Sequence, residues 1–372
     1  MRIAFLRSSE IYNDSRATKE ITTLLNAGYS VDVYGWNRTG HALEMSKKVF
    51  ESYKNQISLY FYSGNTGNNS FSKIMMRLSF GKWLLKQLEN NADYSVVHSC
   101  DYDTSEASLR YCAKKNVILV YDIFDYYVDA HKVPGFLKKW IENREIKVIN
   151  NSNATIICTE ERRKQIALSS PKRVVVVHNS PEVDECFDQV DVKYDYVYCG
   201  GLNKGRLIQE IFHGYMDHCN YEFAIAGPGV YQNLAIELNS QFDNFHYFGS
   251  VAYSEVLALE RQSRVISAIY DPSVKNHQYC APNKFYEALA LGKPLIVCKG
   301  TGIDEIVEKE RIGIVIDYNV DSFYKAMCYL IDNEEEAEQM GNRGRTLYEQ
   351  GFQWKYMSDR IIKLYDDLTC NN

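Results

Sequence analysis

The sequence predicts an α/β protein of two doubly wound domains, each a parallel sheet with helices on both faces. Three observations carry this prediction. Short β-branched or aromatic runs recur along the chain, and each is followed by a stretch with helical period. Such alternation implies parallel strands joined by helical crossovers. The rhythm breaks once, at 179–193 (NSPEVDECFDQVDVK), which is acidic and lacks an apolar period, and then restarts. Finally, 372 residues at roughly 150 per domain make two domains.

Taken in order, RIAFL (2–6) reads as a buried strand. Residues 15–27 read as a helix, with Ala17, Ile21, Leu24 and Leu25 on one face and Gly28 placed to end it. VDVYGW is the second strand; ISLYFY (57–62), YSVVHS (94–99), VILVYD (117–122), ATIICT (154–159) and RVVVVH (173–178) follow. Helical patterns fill 71–90, 104–115, 135–150 and 160–169. After the break come the strands YDYVYC, YEFAIA, NFHYF and VISAIY, with helices starting near Arg206, Tyr231 and Tyr253 between and after them. A helix from Asn283, the strands PLIVC and IGIVI and three further helical stretches complete the chain. The expected domains are 1–180 and 181–352, facing across a cleft, with the amphipathic stretch 353–372 crossing back toward the first.

Composition narrows the function. A net charge of −6 argues against bulk attraction to nucleic acid. The ten cysteines are scattered singly, without a CxxC, as reduced core cysteines are, which favours a cytoplasmic setting. MRIAFLRSSE is too short an apolar run for a signal peptide, and no window reaches the roughly 18 apolar residues of a spanning helix. Membrane contact is therefore expected to be peripheral, at the inner face. The 29 tyrosines read as compositional bias.

Doubly wound sheets bind ligands beyond the carboxyl ends of their strands. In the second domain, YVYCGGLNKGR places Gly200 and Gly201 after a strand, then Lys204 and Arg206 at a helix start. Glycines let a phosphate approach the backbone, and cations supply positive potential. A tight turn with solvated charges explains the run equally well. Gly227 and Gly229 in FAIAGPGV repeat the theme weakly. In the most informative stretch, NHQYCAPNKFYEALALGKPLIV, Asn283 and Glu287 lie four apart on one helix face, where the Glu287 carboxylate can accept two sugar hydroxyls. An exposed Lys284–Glu287 pair is the plain alternative. Thr301 and Gly302 in KGTGIDEIV form another phosphate-compatible turn.

In the first domain, Asp14, Ser15 and Arg16 open a helix. Asp14 or Ser15 reads as the N-cap there, but a cation in the first turn opposes the helix dipole, so a bound anion would account for Arg16. Asp101 and Asp103 follow the strand of HSCDYD, and Asp122 and Asp125 that of VYDIFDYY. Carboxylates there can hold an acceptor hydroxyl or stabilise an oxocarbenium-like centre; each can equally cap a helix. The eight histidines have no metal spacing, and GxxxxGK[ST] and GxSxG are absent.

Together these pieces resemble the retaining glycosyltransferases of the GT-B fold, in the large family 4 of bacterial polysaccharide enzymes. The likeness lies in DSRATKEITTLLNAGYSVDVYGWN, in VVHSCDYD and, most specifically, in APNKFYEALALGKPLIV followed by TGIDEIV. It implies two Rossmann-like domains, a nucleotide-sugar donor and a saccharide acceptor, polyprenyl-diphosphate-linked ones included, with no metal or other cofactor. By resemblance Glu287 holds the nucleotide ribose, and Gly201, Arg206, Gly227 and Lys284 line the diphosphate. Two positions depart from the family. Tyr279 stands eight before Glu287, where the family has Glu, and Phe124 stands where many members have His. Both changes fall at the sugar, which implies an uncommon donor sugar such as a deoxyhexose, with Tyr279 in its place on the donor side. The candidate catalytic groups are Asp122, Asp125 and Arg206, and Asp14, Arg16, Asp101 and Asp103 are the acceptor-side candidates. Two rivals stand beside the transferase: a nucleotide-sugar 2-epimerase-like isomerase, and a non-catalytic partner subunit that keeps the fold. Residues 71–88 mix apolar and basic side chains, as an interfacial helix does, although a helix packed on its own sheet fits that place in the order better.

Overall fold

A computed structural model describes residues 1–64, 70–131, 133–183 and 190–370; part of the expected linker, 184–189, lies outside them, as do residues 371 and 372. The chain forms two compact units, one of residues 1–178 with 357–372, the other of residues 179–356.

The first unit runs β1 (Arg2–Leu6), α1 (Ser15–Asn26), β2 (Ser30–Asn37), α2 (Ala42–Val49), β3 (Ile57–Ser63), α3 (Ser70–Asn91) and β4 (Val96–Cys100). It continues α4 (Tyr102–Lys115), β5 (Ile118–Ile123), α5 (Tyr127–Ala130), α6 (Gly135–Asn151), β6 (Ala154–Ile157), α7 (Arg162–Gln165) and β7 (Val174–Val176). All strand pairs are parallel, in the order β3-β2-β1-β4-β5-β6-β7. β1, β4, β5 and β6 are buried along nearly their whole length, which is why they read as unbroken apolar runs. One polar group inside the sheet is fully paired: the buried Asp32 accepts from Arg2 at 2.9 Å and from the Tyr94 hydroxyl at 2.7 Å.

The second unit runs β8 (Tyr194–Cys199), α8 (Ile208–Gly214), β9 (Phe223–Ala226), α9 (Gln232–Gln241), β10 (Phe245–Tyr247), α10 (Tyr253–Arg261), β11 (Ser263–Ala268), α11 (Asn283–Leu291), β12 (Leu295–Cys298), α12 (Asp304–Glu310), β13 (Gly313–Ile316), α13 (Val320–Asp332) and α14 (Glu334–Leu347). Its parallel order is β10-β9-β8-β11-β12-β13. Tyrosines are structural here: Tyr196, Tyr198 and Tyr215 fill the core beside Phe223 and Phe245.

The last helix, α15 (Trp354–Thr369), belongs from Met357 onward to the first unit. The Tyr365 hydroxyl bonds the His98 Nδ1 at 2.7 Å, Arg360 donates to Val176 O at 2.8 Å, and Tyr29 donates to Asp366 at 3.0 Å.

Three elements differ from expectation. One is α5, a single turn that was not foreseen. The helix expected over 160–169 is a single turn, α7; Ile166 leaves helical geometry, Ser169 donates to its carbonyl at 2.6 Å, and Pro171 follows. The helix α2 was not foreseen, because only Ala42 and Ser46 are buried in it while Leu43, Met45 and Val49 point to solvent. Ala42, Met45 and Val49 lie at helical spacing, but eight residues are too few for that period to stand out.

Each sheet reverses its strand order once, between β1 and β4 and between β8 and β11. At such a switch point adjacent connections leave in opposite directions and open a crevice beyond the strand ends. Those are the places where the expected donor and acceptor residues fall.

Candidate functional site

In the second unit the turns after β8, β9 and β11 are bonded into one another. Gly200 N donates to Ala226 O at 2.8 Å, Leu202 N to Pro228 O at 2.8 Å, and Asp271 N to Gly205 O at 2.9 Å. The glycines make this possible. A Cβ on Gly227 (φ 127°) would lie 2.0 Å from Gly200 O, and one on Gly229 (φ 159°) 2.3 Å from Leu202 O. Their work is thus chain against chain. The amides of Gly200 and Gly227 are spent on Ala226 O and Gly249 O, so these two glycines give space and not the donors that a phosphate would need.

Cations supply what those amides do not. Lys284, in the first turn of α11, is 8% exposed and runs alongside Gly200; its Nζ lies 5.2 Å from the centre of the Tyr198 ring and 3.5 Å from Glu260. Burial pulls this ammonium down, but the carboxylates of Glu260 and Glu287 outweigh it and raise its pKa, so it stays charged. Arg206 stacks over Tyr270 at 4.4 Å, and Tyr198 donates to Gly201 O at 3.1 Å. Lys204 is exposed at the rim. The structure therefore brings Gly200, Gly201, Gly227, Gly229, Arg206 and Lys284 into one place at the β8/β11 switch point.

Three readings are corrected here. Asn283 and Glu287 do not share an environment: Asn283 is exposed, whereas Glu287 is 2% exposed and faces Glu260 and Tyr253. The exposed Lys284–Glu287 pair fails for the same reason, since both side chains are buried. The Thr301–Gly302 turn is self-satisfied and acidic: the buried Thr301 hydroxyl donates to Cys298 O, Gly300 N donates to Asp304 at 2.6 Å, and Asp304 and Glu305 begin α12. A phosphate would meet carboxylates there. Tyr279 is half-buried in a 3-10 turn before α11, next to Cys280, which donates to Thr301 O at 2.9 Å.

In the first unit, the loops after β1, β4 and β5 converge through a residue not foreseen, Arg7. It ion-pairs with Asp14 at 2.9 Å and with Asp101, and lies 4.0 Å from the Phe124 ring centre. Asp101 accepts from the amides of Phe124 and Asp125 at 2.8 and 3.1 Å. Burial pushes its carboxyl up to about 6, with Arg7 opposing. Asp103 accepts from Ser8 at 3.1 Å and ion-pairs with Arg77 at 3.4 Å, while Arg77 also donates to Tyr127. Asp125 is exposed and 3.4 Å from Arg162. Asp14, Asp101, Asp103 and Asp125 thus cluster at the β1/β4 switch point. Asp14 is also the N-cap of α1, accepting from Ala17 N at 3.2 Å. Arg7 stands directly after β1; its position was the only sign of it in the sequence.

Arg16 and Asp122 are not in that group of solvent-reaching residues. Arg16 is 5% exposed and donates to Asp122 at 2.9 Å and to Val177 O at 2.7 Å, with Glu20 at 3.0 Å. Its charge is answered by carboxylates of its own unit, so no acceptor anion is needed to explain it. Asp122 is wholly buried, 3.3 Å from His98, and cannot touch an acceptor. Burial raises its pKa, but Arg16 and then His98 outweigh this and hold it down at about 2. Among the described residues, Glu20, His98, Cys100 and Asp122 place ligand-type atoms within 4.8 Å of one another. The guanidinium of Arg16 already bridges the two carboxylates, so the positive charge in this cluster comes from the chain.

Glu145 gives a pH-dependent expectation. It is fully buried, accepting from the Tyr121 hydroxyl at 2.9 Å and from Tyr127 N at 3.2 Å, and burial pushes it up to about 8. A carboxyl raised on folding favours the acid form, so its contribution is full below about pH 4.5 and is lost as pH rises toward 8. Thermal unfolding of Glu145→Gln should match the wild type near pH 5 and exceed it increasingly toward pH 8. A gap that stays constant with pH would refute this assignment.

Residues 206–363 match the family described as glycosyl transferase-like. Spore coat protein SA of Bacillus subtilis is 25% identical over 138 residues, 35% of this chain and 37% of that protein. The uncharacterized glycosyltransferase MJ1178 of Methanocaldococcus jannaschii is 22% identical over 239 residues, 63% of this chain and 65% of that one. The chain thus matches less than two thirds of the length of either relative. Among solved structures, Anabaena Alr3699/HepE in complex with UDP-glucose superimposes with a TM-score of 0.70 at 13% identity, over 99% of this chain and all of that one. That likeness is one of fold: two Rossmann-like α/β domains, as in GT-B glycosyltransferases.

Proposed function

We propose that the protein is a glycosyltransferase that moves a sugar from a nucleoside-diphosphate donor to a saccharide acceptor, lipid-linked saccharides included, in bacterial surface polysaccharide synthesis. Transfer proceeds with retention and without a metal, in the cytoplasm at the inner face of the membrane. The observation that carries this reading is the group at the β8/β11 switch point, where two buried or half-buried cations, Lys284 and Arg206, stand over a floor of close-packed glycines.

In this reading Lys284, Arg206 and Lys204 hold the diphosphate, and the buried Glu287 carboxylate accepts the ribose hydroxyls. Tyr279 lies on the sugar side. The bond from the anomeric carbon to the phosphate oxygen breaks with its electron pair leaving on the diphosphate. The acceptor oxygen bonds to that carbon from the same face, and its proton passes to the departing phosphate oxygen. Fixed cations around the developing phosphate charge make the largest contribution from the protein. Asp101, Asp103 and Asp125 of the first unit hold acceptor hydroxyls.

Calorimetric titration with UDP, GDP, dTDP and ADP in the presence of a chelator tests the reading. One nucleotide should bind, and Glu287→Ala should weaken it about tenfold or more, the scale of a hydrogen bond to a charged group. Binding of none would overturn the reading in favour of a non-catalytic subunit. Consumption of the sugar donor without any acceptor would favour the isomerase.

A further inference from the structure

Glu260 lies in the last turn of α10 and is completely buried. The packing of α10 on α11 brings it 3.5 Å from the Lys284 ammonium and against the Glu287 carboxyl. Tyr253, two turns before it on the same helix face, meets Glu287 from α10 as well. Cys199, which ends β8, lies beside all three charged groups, and the Tyr198 ring stands next to Lys284. Burial pushes the Cys199 thiol and the Tyr253 hydroxyl up, so both are neutral. Two carboxylates therefore face one ammonium almost out of contact with solvent. Among the described residues, neither oxygen of Glu260 nor Oε2 of Glu287 has a hydrogen-bond partner. Two ionised carboxylates cannot bond to one another, and away from water they repel. One proton on the pair removes both faults. Burial and Glu287 accordingly push Glu260 well above the ordinary carboxylate range, with Lys284 opposing.

We propose that Glu260 is a positioning residue of the donor site: its carboxylic acid donates a hydrogen bond to Glu287, which stays charged and is held in place to accept the ribose hydroxyls. The two oxygens of Glu260 then do different work. Oε1 faces Lys284 at 3.5 Å as an acceptor, and the protonated oxygen donates to Glu287. One proton on the pair leaves a single negative charge, which the ammonium balances, so the enclosure is neutral as a whole. The acid is thus the joint between the cation assigned to the diphosphate and the carboxylate assigned to the ribose. A hydrogen bond to an ionised carboxylate is stronger and shorter than one between neutral groups, which suits it to fixing a side chain. Glutamine at this position keeps both contacts, its carbonyl toward Lys284 and its amide toward Glu287. Leucine fills similar space and makes neither. The inference deepens the proposed function and rests on its donor site.

Two measurements on the full chain test it. Without nucleotide, Glu260→Gln should gain in melting temperature over the wild type as pH rises from about 5 to about 8. The contribution of a carboxyl raised on folding is full at low pH and is lost as pH rises, whereas the amide has no proton to lose. A gap that stays constant over that range overturns the shared proton. The second measurement uses whichever of UDP, GDP, dTDP and ADP binds, together with its dideoxy counterpart. Glu260→Leu should bind the hydroxyl-bearing nucleotide about tenfold more weakly or worse, and the dideoxy one as the wild type does. Glu260→Gln should keep the wild-type preference for the hydroxyls, a rescue that a role in packing alone would not require. A preference retained in Glu260→Leu, or lost in Glu260→Gln, overturns the positioning role. Should Glu260→Leu not fold, the glutamine variant decides, since it must both keep the preference and gain in melting temperature. A wild type that binds none of the four nucleotides, with the pH-dependent gap present, removes the transferase reading and the ribose role together and leaves the shared proton standing.

Discussion

Lys284→Met should lower the affinity for the nucleoside diphosphate about 100-fold while leaving nucleoside monophosphate binding much less affected. Methionine keeps the length and apolar contacts of the stem, so the change isolates the charge. In the wild type the ammonium is held by Glu260 and Glu287 and lies beside Gly200. Without it, two buried carboxylates face each other and no buried cation remains at the turn; the loss of charge-assisted bonds to a phosphate is worth about 3 kcal/mol. Lys284→Arg should restore part of the affinity. Equal losses for diphosphate and monophosphate would show that Lys284 acts on the base or ribose side, and an unchanged affinity would remove it from the site.

Arg16→Leu should destabilise the first unit by about 3–5 kcal/mol, the cost of leaving buried carboxylates without their counter-charge, and lower its melting temperature by about 10 °C. Asp122 and Glu20 are both fully buried, and burial together with Asp122 pushes Glu20 well above the usual carboxylate range. Asp122, held at about 2, contributes stability that is full above about pH 4 and is lost as pH falls toward 2. The gap between wild type and variant should therefore narrow as pH falls from 5 to 2. Calorimetry across that range checks both parts. A gap that does not narrow, or a variant as stable as the wild type at pH 7, would mean that Arg16 does not neutralise this cluster.

Much of the fold was legible because the central strands are buried on both faces and announce themselves as apolar runs. RIAFL matches β1 residue for residue, and VILVYD and PLIVC lie within a residue or so of β5 and β12. What escaped was too short for its period to stand out, as in α2 and α5. Side-chain partners escaped for a different reason: they are set by strand order, which composition does not encode. Arg16 looked like a cation in want of an anion because Asp122 is 106 residues away and reaches it only after β1, β4 and β5 align. Lys284 looked like a surface partner of Glu287, one turn along; its 3.5 Å approach to Glu260 depends on α10 packing against α11. The glycines were read as room for a phosphate, and the structure uses their room to bring two turns together. In each case the residue type was informative and the partner was not.

The assignment of residues 357–369 to the first unit sets an order of events during synthesis. The His98–Tyr365 bond joins β4 to a segment that leaves the ribosome only after residues 179–356 have been made. At about 5–20 residues per second this is a wait of roughly ten to forty seconds. During it the first unit holds His98 and the Arg16 cluster without their last covering helix, while the second unit, continuous in the chain, has everything it needs to fold. The half of the chain that is translated first is thus the half that finishes last, and its exposed core during that interval is the natural point of contact for a chaperone.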